Sequence, residues 1–365
     1  MIHAMKKIGF ILLTLLVCGL GEAYAKKAKE LPPVEEHVLL YPSVDQHDDS
    51  LMLSGKVCVP KDKAPKGIVF IPHYTIASNS EAPSIKMTGE SRAFMDEYVL
   101  LMPDFIGFGA TVDRIHPYLH GELTARNGVD MILGARPLLD SLNLGISLDS
   151  IYIVGYSQGG ASAVWTLKLI EEQYADRLFV RGCFAGDGPY DVAVTFDEAV
   201  RTKRINMPAL IPMLMVGTDV SYDLGLNYND FFTPATMKVY QKLIVPKDCG
   251  IVKLFFNTLN HNIKHWLKPG VLDGTQPYAK KMYEGLERSS LITATHCPSW
   301  IPKSPLYVFH SVKDEVVTIL CAEHLQRCLG EQPNITYDFG KYGNHMNASK
   351  TFFPIVRRIL NEQNP

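Results

Sequence analysis

Residues 155–160 read Gly155-Tyr156-Ser157-Gln158-Gly159-Gly160, and no other stretch of the 365-residue chain constrains its fold as tightly. The run before it, 151–154, is apolar and β-branched, and the residues after it, from 158 to about 174, have helical spacing. A serine in a Gly-x-Ser-x-Gly frame between strand and helix occupies a sharp, strained turn. Its Oγ then projects from the sheet edge, and side chains two positions away would collide, so glycine is required there. The pattern predicts a nucleophile at Ser157 on a strand–turn–helix corner.

Such a corner needs a sheet around it. Residues 36–41, 51–59 and 67–72 read as strands, followed by a helical stretch at 81–97 and a strand at 98–102. Helical spacing returns at 121–142, and 178–185 is another apolar strand. Strands at 306–310 and 335–339 flank a helix at 317–330. This alternation predicts a mostly parallel sheet with helices on both faces. The proline-rich stretch 188–305 breaks the rhythm and reads as helices and loops. It predicts a mainly helical cap inserted after the sixth sheet strand, dividing a core of 26–187 and 306–365.

A serine is a weak nucleophile until a base, oriented by an acid, takes its proton. The acid and base are expected in that order on loops after later strands. Asp314 follows the strand 306–310, and His345 lies on the loop that follows 335–339. Glu315 is the rival acid, and would point away if Asp314 points in.

With these residues the chain resembles the α/β-hydrolase superfamily over essentially all of its mature length except the cap. Met102-Pro103-Asp104-Phe105-Ile106-Gly107-Phe108-Gly109, the later His116-Pro117-Tyr118 and the long insertion before Asp314 resemble the secretory lipase and related esterase branch. The resemblance implies hydrolysis of carboxylic esters through an acyl-enzyme, with Ser157, His345 and Asp314 as triad and no cofactor or metal. A serine peptidase of the prolyl-oligopeptidase kind shares fold and triad order, but the mature N-terminus is too short for a propeller domain. An inactive, substrate-binding member of the fold is the remaining alternative. Two backbone N–H groups must face the developing oxyanion. One is expected from Gln158. The other comes from Tyr74 or Thr75, because this chain has His73-Tyr74-Thr75 where many esterases carry His-Gly.

Composition narrows the partners. Thirty-six Lys plus Arg against 38 Asp plus Glu leave a net charge of −2, so no basic surplus points to nucleic acid or an anionic membrane. A small-molecule or lipid-like ester fits better. Lys6 and Lys7, the uncharged run 8–21 and Ala23-Tyr24-Ala25 predict a secretory signal cleaved near Ala25, and no other segment is apolar enough to span a membrane. The alternative, a lipoprotein signal at Cys18, is disfavoured by the bulky Val17.

Six cysteines survive that cleavage. Cys321 and Cys328 are too far apart on a straight helix to pair, Cys183 reads as a buried thiol, and a Cys249–Cys297 bridge is the pairing considered. His261 and His265 lack a third ligand for a metal. Asp104 reads as a structural acid and Gly107 and Gly109 as turn glycines, while Asn334 and Asn347 sit in glycosylation acceptor triplets.

Overall fold

The computed structural model describes residues 31–147 and 149–364. The expected signal segment, 1–25, lies outside the described residues. Eight strands form one sheet in the order β1-β2-β4-β3-β5-β6-β7-β8. They are β1 (Val34–Val44), β2 (Ser50–Pro60), β3 (Ile68–Phe70), β4 (Val99–Pro103), β5 (Ser150–Tyr156), β6 (Phe179–Gly186), β7 (Leu306–Ser311) and β8 (Ile335–Gly340). The β1–β2 and β2–β4 pairs are antiparallel, and every pair from β4 through β3 to β8 is parallel.

The two-residue period of the strands divides the core between two faces. Ile68, Phe70, Val99, Leu101, Ile151 and Ile153 pack on one face, against the helices Gly121–Gly134 and Gln158–Gln173. Val69, Leu100, Met102, Tyr152, Val154 and Tyr156 point to the other, where the carboxy-terminal helix His345–Gln363 lays down Phe352, Val356 and Leu360. Burial on both faces is why the central strands read as continuous apolar runs.

Two helical expectations are corrected. Residues 81–97 hold only short 3-10 turns at Asn79–Glu81 and Glu90–Ala93, because Pro83 and Gly89 interrupt the apolar spacing. The helix expected at 121–142 is two helices, Gly121–Gly134 and Arg136–Leu142, the second with a proline in its first turn.

Between β6 and β7 the chain is helical. The longer helices are Val192–Thr202, Leu210–Tyr222 and Ala279–Ser289. They and the shorter segments between them bury a second cluster, around Met215, Phe231, Phe232, Trp266 and Leu286, which also takes in Ala77 and Tyr118. Lys247 ties this segment to the loop after β4: its ammonium donates to the carbonyls of Gly107 (2.6 Å), Val112 (2.8 Å) and Arg114.

The disulfide differs from the pairing considered. Cys297 and Cys328 form it, with Cα atoms 5.2 Å apart, while Cys249, like Cys58, Cys183 and Cys321, is a buried free thiol. Cys328 sits at the end of the helix Leu320–Leu329, within reach of the loop before β7, whereas Cys249 is buried within the insertion.

Candidate active site

The buried strand β5 runs directly into Ser157, which has φ 58° and ψ −124°, and the helix Gln158–Gln173 starts at the next residue. The turn is closed by backbone contact on three sides. A methyl group at Gly155 would lie 2.0 Å from the Gly159 carbonyl oxygen, at Gly159 2.1 Å from that of Pro72, and at Gly160 2.5 Å from that of Gly186. The Ser157 N–H donates to Gly186 at 2.8 Å, which fastens the turn to the end of β6. Glycine at 155, 159 and 160 therefore answers to space.

His345 is the first residue of the carboxy-terminal helix, not part of a free loop, and Asn344 caps that helix by accepting from the Asn347 N–H. Its Nε2 lies 2.9 Å from Ser157 Oγ and its Nδ1 2.5 Å from Asp314 Oδ2. Asp314 is held in turn on its other oxygen, which accepts the N–H groups of Val316 (2.8 Å) and Val317 (2.9 Å). This network assigns the tautomer: Nδ1–H donates to Asp314, leaving Nε2 to accept from Ser157. Glu315 does not reach the imidazole. It accepts the His345 backbone N–H at 3.1 Å instead.

The electrostatics follow from that geometry. Burial pushes the Asp314 carboxyl up, but the charge and hydrogen bond of His345 outweigh it and hold it below the usual value. Burial pushes His345 down, and the neighbouring charge of Asp314, its hydrogen bond, and then Asp187 and Glu315 raise it above an ordinary histidine.

The two residues left open for the oxyanion donor are distinguished by a residue missing from the sequence reading. Buried Glu90 accepts the Tyr74 N–H with both oxygens, at 3.2 and 3.4 Å. Among the described residues the N–H groups of Thr75 and Gln158 have no such acceptor. The Thr75 hydroxyl lies 2.7 Å from the Tyr118 hydroxyl. His116 holds the Gln158 side chain: its Nδ1–H donates to Ile106 (2.7 Å), and its Nε2 accepts from Gln158 Nε2 (3.1 Å). Burial drives its pKa down to about 3, so the ring is neutral and can accept.

A cavity of about 290 Å³ opens beside Ser157 and Asp314, with mainly apolar walls that include Leu119, Phe196, Leu210, Leu214 and Val317. Asp187, at the exit of β6, was also absent from the sequence reading. Its Oδ2 lies 4.0 Å from His345 Nδ1, and its Oδ1 3.9 Å from Nδ1 of buried His310. An acid at the carboxyl end of a central strand was the available signal, because sheet topology gathers those ends at one site. Asp187, His310 and Asp314 bring ligand-type atoms within 4.8 Å of one another. The two carboxylates are already engaged by Tyr156, the Ser311 N–H, His345 and the 316–317 backbone, while buried His310 Nδ1 has no hydrogen-bond partner among the described residues.

Other expected residues fall elsewhere. Asp104 is buried and structural, accepting from the Ser54 hydroxyl (2.5 Å) and the Ser84 N–H (2.7 Å). His261 and His265 share no helix face: His265 ends a single 3-10 turn, and His261 contacts the Ile205 carbonyl. The Asn334 side-chain amide donates to Pro302 and Ser304, each at 2.9 Å.

Sheet order, strained serine turn and the elements that bring up Asp314 and His345 together define the α/β-hydrolase fold. Solved structures with this fold include the rice cell wall degrading esterase LipA of Xanthomonas oryzae, 21% identical, matched over 91% of this chain and 91% of that one with a TM-score of 0.77. Candida antarctica lipase A in its closed state is 16% identical over 91% of this chain and 79% of that one, with a TM-score of 0.67. The likeness is one of fold. No protein-family model and no curated protein sequence matches the chain. No helix among the described residues is long and apolar enough to cross a membrane.

Proposed function

We propose that this chain is a serine hydrolase of carboxylic esters. The observation that carries the reading is the continuous hydrogen-bonded line from Ser157 Oγ through His345 to Asp314, beside an apolar cavity and two unengaged N–H groups. As His345 takes its proton, Ser157 attacks the acyl carbon; Asp314 stabilises the imidazolium, and the N–H groups of Gln158 and Thr75 receive the tetrahedral oxygen. His345 then returns its proton to the leaving alcohol and activates the water that releases the acid. These steps need neither metal nor cofactor.

The cavity lies at the lower end of small-molecule sites, which span about 300–1,000 Å³, and its walls are mainly apolar, with Glu198, Arg204 and Asn206 also bordering it. Uncharged esters with short to medium acyl chains suit it. The helical segment 188–305 acts as a cap inserted into a core of 26–187 and 306–365. The amino-terminal segment directs export, with cleavage near Ala25.

A panel of p-nitrophenyl esters of increasing acyl length, run beside an Xaa-Pro amide, tests the reaction class. Ester cleavage peaking at short or medium acyl groups is expected, and preferential amide cleavage would overturn the proposal in favour of a peptidase. The variant Ser157→Ala should fold normally yet lose turnover and labelling by a fluorophosphonate probe, and persistent labelling would remove Ser157 as nucleophile.

A further inference from the structure

Asp187 stands immediately after β6 with φ 42°, in a region that few non-glycine residues other than Asn and Asp adopt. Its side chain is fully buried, and its backbone N–H is fixed to the Phe309 carbonyl at 2.9 Å. The titratable groups facing it are Tyr156 from β5, His310 and Asp314 from β7 and the loop beyond, His345 from the carboxy-terminal helix, and Tyr190 from its own loop. None is a lysine or arginine. The two imidazoles stand 3.9 and 4.0 Å away, beyond hydrogen-bond distance, and the one beside Asp314 is already paired with it.

The hydrogen bonds around this carboxyl constrain the state it can hold. Oδ1 accepts the Ser311 N–H at 2.8 Å, and Oδ2 is hydrogen-bonded to the Tyr156 hydroxyl. That same hydroxyl lies 2.6 Å from the backbone carbonyl oxygen of His345, which can only accept. A phenol has one proton. With Asp187 ionised, one of these two close oxygen pairs would have no hydrogen between them. With Asp187 protonated both are satisfied: the acid donates to the phenol oxygen, and the phenol donates to the carbonyl. Burial, followed by the neighbouring Asp314 charge, pushes Asp187 up to about 7, in the same direction.

Resting on the hydrolase reading, we propose that Asp187 is a positioning residue for the base: in its protonated form it donates to Tyr156, directs the phenol proton to the His345 carbonyl, and so fixes the histidine between Ser157 and Asp314. The His345 backbone is then tethered on both sides, its N–H by Glu315 and its C=O by Tyr156. Ionisation of Asp187 would draw the phenol proton away from that carbonyl and set a second negative charge beside the imidazole. Proton storage in this acid thereby keeps the base in register.

Asparagine tests the idea, because its amide donates to Tyr156 and its carbonyl accepts from Ser311 as the protonated acid does, at every pH. The full chain carrying Asp187→Asn should keep kcat within about threefold of the wild type near pH 6. Asp187→Ala and Tyr156→Phe should each lower kcat about tenfold or more with KM little changed. The ratio of Asp187→Asn to wild-type kcat should rise as pH passes about 7, where only the wild type ionises. If Asp187→Asn loses activity as steeply as Asp314→Asn, the group acts as a charge, and the proposal fails. It fails equally if folded Asp187→Ala matches the wild type. Thermal unfolding gives a readout independent of hydrolysis. A carboxyl raised in the folded state costs stability progressively between its unfolded value, about 4, and its folded value. The Tm of Asp187→Asn minus that of the wild type should therefore widen from about pH 4 to 7 and then level. A difference that stays flat across that range would overturn the protonated state even if no ester were ever found to be cleaved.

Discussion

Replacing Gly159 by alanine isolates the link between the serine turn and the oxyanion site. Gly159 does not need an unusual backbone angle; it is required by space. The added methyl would lie 2.1 Å from the Pro72 carbonyl oxygen and 3.2 Å from the carbonyl carbon and oxygen of His73. All three atoms are backbone, so no rotamer change relieves the contact. Ordinary van der Waals contact begins near 3.4 Å, and the chain at 72–73 must retreat by about 1.3 Å to reach it. Thr75, two residues on, moves with that segment, and its N–H no longer converges with that of Gln158. Losing one oxyanion donor raises the barrier by about 3–4 kcal/mol, and a misplacement of about 1 Å at a reacting centre costs on the order of 100-fold. The expected result is a fall of about 100-fold or more in kcat on a p-nitrophenyl ester, with KM nearly unchanged. Overpacking should also cost about 1–3 kcal/mol of stability, visible as a lowered Tm. Gly145→Ala is the control: it has φ 69° but nothing within 4 Å, so it should lose about 1 kcal/mol and no activity. A folded Gly159→Ala enzyme with kcat within threefold of the wild type would refute the coupling between the turn and Thr75.

His345 is raised above the ordinary histidine value, so its inactive, protonated form persists to higher pH. kcat/KM should therefore fall through a midpoint above about 6.5 as the medium is acidified, and a flat profile from pH 5 to 8 would remove His345 as base. Asp314→Asn removes the charge that raises it, so the midpoint should shift down while kcat drops about 1,000-fold or more; an unmoved midpoint would point to a different acid. Replacing both Cys297 and Cys328 by serine opens a loop of sequence separation 31, worth about 4 kcal/mol by chain entropy, and should lower the denaturation midpoint without altering kcat. A variant as stable as the wild type would show that the bridge constrains little in the unfolded chain.

Features governed by short-range sterics and by apolar periodicity were readable from the residues. The serine turn announces itself because three glycines must sit within six residues for its backbone to close, and because an apolar strand leads straight into it. The central strands show as apolar runs because both faces of the sheet are covered. Asp314 and His345 stand out because each follows a strand whose carboxyl end the sheet carries to the same edge, and the structure brings them into hydrogen-bond contact. The failures have a different origin. Residues 81–97 have a helical pattern of apolar side chains, yet Glu90 within it is buried and spent on the Tyr74 N–H. That contact decides whether Tyr74 or Thr75 keeps a free donor, and hydrophobic spacing carries no trace of it.

The same limit explains Asp187 and the cysteines. Asp187 and Tyr156 are separated by 31 residues, and neither spacing nor composition marks them as partners. Only the packing of β5 against β6 and the carboxy-terminal helix brings the Asp187 carboxyl, the Tyr156 hydroxyl and the His345 carbonyl together. Cys321 and Cys328 share a helix, but the first is buried in the core and the second, at the helix end, reaches Cys297. In each case a buried polar or sulfur atom must find its partner across the fold, and a missing partner there would cost about 1–3 kcal/mol. Hydrophobic pattern therefore specifies the scaffold and the serine turn, while the contacts of Glu90, Tyr156 and Asp187 are fixed by long-range satisfaction of buried polar groups. Substitutions at Glu90, His116, Tyr156 and Asp187 should thus disturb catalysis more than their distance in sequence from Ser157, Asp314 and His345 would suggest.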